Sequence, residues 1–130
     1  MKIEQLSIFI ENKKGRVSDV ANTLSKAEIN MQAFSLSENS EFGMMRIIVS
    51  DSEKAVAILR ENRFKVNVTE VLCLEIVDKP GSMAKILNTL SANDIFIEYM
   101  YAFTRSSHAF VVIKPTNLDL AAEILAAEQL

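Results

Sequence analysis

Near the start of the chain the apolar positions alternate. In QLSIFI, Leu6, Ile8 and Ile10 share one face, and the same alternation returns in LCLEI with Leu72, Leu74 and Ile76. A period of two marks a strand with one side turned to a core. After each run the period lengthens: Val17, Val20, Ala21 and Leu24 stand at i, i+3, i+4 and i+7, as do Met83, Ile86, Leu87 and Leu90. That spacing winds one apolar stripe onto a helix. Two further strands are predicted from NMQAFSLS and GMMRIIVS, and again from FIEYMYAFT and AFVVIK, each pair followed by a second helix. Asp51 and Asn117 stand just ahead of those second helices, where a short acceptor side chain can take a free backbone amide. A last strand, FKVNVTEV, is predicted only after the first set.

The periods repeat because the sequence does. NKKGRVSDVANTLSKAEI, 12–29, is answered by DKPGSMAKILNTLSANDI, 78–95, at a constant offset of 66, the distance from Gly15 to Gly81. Lys13 matches Lys79, Asn22 to Ser25 match Asn88 to Ser91, and Ile29 matches Ile95. The register extends outward through Leu6 and Leu72, Ile10 and Ile76, Ala55 and Ala121, Ile58 and Ile124, Leu59 and Leu125. An ungapped match of this length is a tandem duplication. The expected fold is α+β: two tandem ferredoxin-like βαββαβ modules, 1–69 and 70–130, each an antiparallel sheet with helices on one face. Leu130 is the equivalent of Phe64, so the second module lacks its last strand or takes it from another segment; otherwise one sheet edge is left unpaired.

Composition narrows the function. A chain of 130 residues, 49% hydrophobic and 24% charged, can bury an ordinary globular core, and its net charge of −3 offers no broad phosphate-neutralising face. Nucleic acid and anionic membrane are therefore poor partners, and the short alternating N-terminal run is neither signal peptide nor membrane span. A cytoplasmic location is expected. The single cysteine, Cys73, lies in an apolar strand run and reads as a buried structural thiol. The one histidine, His108, has no second base beside it in sequence, one His and one Cys make no metal cluster, and three glycines make no phosphate loop. No catalytic residue, cofactor or metal is expected.

What the duplication keeps is the turn from the first strand into the first helix. A glycine there allows a left-handed angle or a close backbone approach. In the second copy Pro80 stiffens the turn and Ser82 is a candidate helix cap. The free amides of 16–18 and 82–84 face outward at the positive end of a helix dipole, a seat suited to a carboxylate. A glycine between strand and helix is, more often, only a turn.

The pattern VDKPGSMAKILNTLSANDIFI, an Asp, a Pro-Gly turn, an apolar helix and an NDI opening the next strand, resembles the first half of an ACT domain. ENKKGRVSDVANTLSKAEINM resembles it too, with Lys14 in place of the proline. The resemblance implies a non-catalytic regulatory module that binds a free amino acid. It further implies modules paired side by side through their second strands, with ligand at a seam between a glycine turn of one and the start of the second strand of the other. Asp78, Gly81, Ser82 and Met83 would then face Asn30 in one seat, and Asn12, Gly15, Arg16 and Val17 would face Phe96 in the other. Asp78 would accept the ligand ammonium, making its seat the tighter. Tyr99, Tyr101, Phe103 and Phe110 alternate onto the sheet face opposite the helices, and with Met44, Ile48 and Val112 make it apolar enough to predict a homodimer, sheet against sheet. The same aromatics would suit an RNA-binding sheet, but Arg46 and Arg105 are thin support for one. The remaining alternative is a constitutive interaction module with no small ligand; in either case a regulated enzyme or regulator is the implied partner.

Overall fold

The fold is seen in a computed structural model that describes residues 1–11, 13–38 and 42–128. The elements run β1 (Lys2–Glu11), α1 (Arg16–Lys26), β2 (Met31–Glu38), β3 (Phe42–Val49), α2 (Ser52–Glu61), β4 (Lys65–Val77), α3 (Ser82–Ala92), β5 (Ile97–Arg105), β6 (His108–Pro115) and α4 (Leu118–Ala127). The offset of 66 carries α1 onto α3, β3 onto β6 and α2 onto α4 without a residue of slippage. Even the irregularities coincide: β2 breaks register between Met31 and Ala33, and β5 between Ile97 and Tyr99. The expected α+β class with tandem ferredoxin-like modules is the observed one.

The chain divides into two units, one of Glu4–Thr69 and one of Glu70–Leu130 together with Met1–Ile3. In the first, the strand order is β2-β3-β1-β4. Leu6 pairs with Ile47 and Ile8 with Met45 across β1 and β3, so period-two alternation puts all four on the side that meets Val20 and Leu24 of α1 and Ala55 and Leu59 of α2. The second unit repeats this. Leu72 pairs with Ile113 and Leu74 with Val111 across β4 and β6, facing Ile86, Leu90, Ala121 and Leu125 from α3 and α4. Val17 is the exception to the predicted α1 stripe; at the first turn it stays exposed.

The strand absent from the second repeat comes from the beginning of the chain. The Cys73 N–H donates to the Met1 carbonyl at 2.8 Å, and Lys2 pairs with Asp119 at the start of α4. Met1–Ile3 thus take the place beside β4 that β4 itself takes beside β1 in the first unit.

Two expectations change here. Cys73 is half-buried rather than buried. On the sheet faces away from the helices, Tyr99, Tyr101 and Phe110 are half-buried, Phe103 stacks on Phe110 with ring centroids 5.2 Å apart, and Val112 is 1% exposed. Phe103 on that face stays exposed, but the more exposed aromatic and leucine side chains lie elsewhere, on Phe34 and Leu36 of β2, 62% and 52% exposed, and on Phe96.

Candidate functional site: the glycine turns

Both conserved-in-register glycines are helix N-caps in the left-handed region, Gly15 at φ 89° and Gly81 at φ 93°. A Cβ placed on either would meet nothing within 4 Å, so the angle demands glycine and the packing does not. The cap carries no side-chain hydrogen bond at either turn, and Ser82, expected as a cap, is instead the first residue of α3. The turn also consumes the first helical amide. Arg16 N–H donates to the Lys13 carbonyl at 3.3 Å, and Ser82 N–H to the Lys79 carbonyl at 3.2 Å. Asp19 and Lys85 close the first α-helical bonds onto Gly15 and Gly81. The outward donors among the described residues therefore reduce to the amides of Val17 and Ser18 in one turn and of Met83 and Ala84 in the other.

Around the Gly15 turn two of the three cations, Lys13 and Arg16, are matched within the chain. Lys13 Nζ lies 2.9 Å from Glu11 Oε2 and holds that carboxyl below its ordinary range, first through the hydrogen bond and then through its charge. The Arg16 guanidinium bonds Asp19 Oδ2 at 3.0 Å and covers the Phe64 ring at 4.4 Å. Asn12, the expected acceptor here, lies outside the described residues.

The Gly81 turn opens onto a cleft of about 520 Å³ lined by Glu75, Ile76, Val77, Lys79, Pro80, Gly81, Ser82 and Lys85. Gly81 and Ser82 are in it as expected. Asp78 and Met83 are not among its lining; Asp78 is exposed, and its amide donates to the Ser107 carbonyl at 2.9 Å, which ties the turn to the hairpin between β5 and β6. The carboxylate in the cleft is Glu75, and its cations are Lys79 and Lys85. Sequence reading missed all three. For Glu75 and Lys85 the signal was difference rather than identity between copies, since they replace Phe9 and Asp19 at the offset of 66, whereas Lys79 repeats Lys13 and stood out only by the loss of its partner's equivalent at Val77.

Asn30 and Phe96 hold matched backbone positions at the entry to β2 and β5. Asn30 N–H donates to Ser50 Oγ and its carbonyl accepts from Ser50 N–H, at 3.0 and 3.1 Å. Phe96 exchanges the same two bonds with Thr116, at 3.2 and 2.9 Å. Asn30 also lines a cleft of about 420 Å³ in its own unit, with Ala21, Ser25, Glu28, Ile29 and Met31. Each second strand is an outer strand of its own unit, β2 beside β3 and β5 beside β6. The far edge of each is left unpaired in the sheet.

Elsewhere the chemistry is sparse. No group of three or more potential metal ligands exists among the described residues. His108 is half-buried, with Ser107 Oγ 3.3 Å from its Nδ1. Burial pushes the Cys73 thiol above its ordinary pKa, the opposite of what a nucleophile needs. No described helix is long and apolar enough to cross a membrane.

The family profile described as the ACT domain pair matches residues 1–130. Among solved structures, a protein from Bacteroides thetaiotaomicron is 46% identical at a TM-score of 0.96, over 99% of this chain and 90% of that one. The ligand-free regulatory subunit of aspartate kinase from Thermus thermophilus is 14% identical, TM-score 0.68, over 98% of this chain and 94% of that one. The corresponding subunit from Thermus flavus is 17% identical, TM-score 0.69, over 98% and 92%. At those two identities the likeness is one of fold. A comparison with curated protein sequences gives no match.

Proposed function

The chain belongs to the ACT domain pair family, and we propose that it is a non-catalytic amino-acid sensor, one that binds a free amino acid at its glycine turns and passes that state to a regulated enzyme or regulator in the cytoplasm. The observation that carries this reading is the Gly81 turn. A left-handed cap aims the unbonded amides of Met83 and Ala84 outward beside a cleft whose lining holds both signs of charge. An amino acid is a zwitterion. Its carboxylate suits the amides and the helix dipole, worth about 0.3–1 kcal/mol per charge, and its ammonium suits Glu75 in the cleft, with Asp78 at the rim.

In this reading the seam is completed by a second copy of the chain, since each second strand keeps a free outer edge. Phe34 and Leu36 mark β2 as the edge that pairs; the open sheet face, already half covered, is the weaker candidate. Asn30 then supplies the facing hydrogen bond and Phe96 the apolar wall. Phe34→Lys should convert dimers to monomers in light scattering, and a parent protein that is monomeric at high micromolar concentration would end the assembly part of the proposal.

The ligand part is tested by a thermal-shift panel of free amino acids. A ligand at 100 times its Kd adds about 2.7 kcal/mol of stability, a rise of several degrees for a chain of this size. No shift from any amino acid at millimolar concentration would favour a constitutive interaction module whose exposed β2 edge is its working surface.

A further inference from the structure

On the reading that the Gly81 turn is an amino-acid seat, we infer that it selects an α-amino acid whose side chain ends in a second carboxylate, aspartate or glutamate, over neutral and basic ones. The duplication exposes the reason. In the first copy two of the turn's three cations are neutralised at home, Lys13 by Glu11 at 2.9 Å and Arg16 by Asp19 at 3.0 Å, and only Lys14 has no ion pair among the described residues. In the second copy Val77 stands at the position of Glu11, and Lys85 at the position of Asp19. The first replacement takes away the carboxylate that would pair with Lys79. The second turns an acid into a base in the first turn of α3. Among the described residues neither Lys79 nor Lys85 forms an ion pair, and both line the cleft of about 520 Å³, whose size is ordinary for a small-molecule pocket.

The lining thus carries two ammonium groups and one carboxylate, Glu75. Its electrostatic complement is a ligand with two carboxylates and one ammonium, which is an α-amino dicarboxylic acid. A neutral amino acid leaves one lysine without a counter-charge, and a basic one sets a third cation against the two already there. Charge-assisted contacts are about twice as strong as neutral ones, so the second carboxylate is where discrimination arises. Pro80 and Gly81 add no charge, and Asp78, outside the lining, forms no ion pair with either lysine among the described residues.

Titration calorimetry on the full chain decides it, with L-glutamate and L-aspartate compared against L-glutamine and L-asparagine, which match them in size and lack the second carboxylate. At least one acid should bind about tenfold or more tightly than its own amide, with the gap narrowing as salt rises. Replacing both lysines, Lys79→Gln with Lys85→Gln, should make acid and amide bind equally, while Lys85→Arg, which keeps the charge, should keep the preference. Amides that bind as tightly as the acids, a preference that survives loss of both lysines, or one lost in Lys85→Arg would overturn the inference. Silence from every amino acid, in calorimetry and in thermal shift alike, would instead remove the sensor reading beneath it.

Discussion

Replacing Gly81 by alanine isolates the conformational demand of the turn, because nothing else about the position resists a methyl group. At φ 93° an L-residue pays for the left-handed conformation, roughly 1–2 kcal/mol. The added Cβ meets no atom within 4 Å, so no clash adds to that figure. Gly15, at φ 89° and equally open, should cost the same within error. Asparagine tolerates this region better than alanine, so Gly81→Asn should fall between the parent and Gly81→Ala. Urea unfolding at unchanged slope measures the total, and amide exchange assigns it: the Gly15 variant should loosen the Glu4–Thr69 unit and the Gly81 variant the other. Alanine variants indistinguishable from the parent, or asparagine as costly as alanine, would show that the turn relaxes and that its angle is not what the glycine is there for.

Asp51 and Asn117 accept from the Lys54 and Leu120 amides at 3.1 Å, so alanine at either should cost about 0.5–2 kcal/mol and serine should restore most of it, read by thermal unfolding. Removing Met1–Ile3 should cost about 1 kcal/mol or more and speed exchange of the Cys73 amide, whose acceptor is the Met1 carbonyl. Lys2→Ala alone should leave stability unchanged, since its pairing with Asp119 is in solvent. Burial raises the Cys73 pKa, so its thiolate fraction near pH 8.5 should be below that of a free thiol, and labelling by a thiol reagent correspondingly slower until urea is added. The sign for stability follows: the protonated thiol is favoured in the fold, so its contribution is whole below the unfolded pKa and declines as pH rises through the folded one.

Local chemistry was legible. The strand and helix periods, the two acidic or amide caps and the left-handed glycines are each set by residues within one turn of one another, and the ungapped repeat doubled every such signal. What escaped reading depends on partners far away or on contrast. No period announces that residues 1–3 will lie against Cys73, because a strand's own pattern does not name its neighbour. The alternation of Tyr99, Tyr101 and Phe103 assigned the face correctly, but a period cannot say how much of that face is covered, and Val112 proved buried. Ser82 looked like a cap by residue type, yet the left-handed glycine before it had already taken that role. In the cleft, attention to what the copies share concealed Glu75 and Lys85, whose meaning lies in what they replaced.

The strand supplied by Met1–Ile3 also sets an order of events during synthesis. These residues are made well before the Cys73 amide and Asp119 that receive them, Asp119 being 117 residues beyond Lys2. The Glu4–Thr69 unit has all its parts once residue 69 has emerged. The other unit contains residues made before any of these and is nonetheless finished later. Closing so long a loop costs only slowly more with length, so the delay is one of waiting rather than of free energy, and through it the edge of β4 stays open to whatever strand reaches it first.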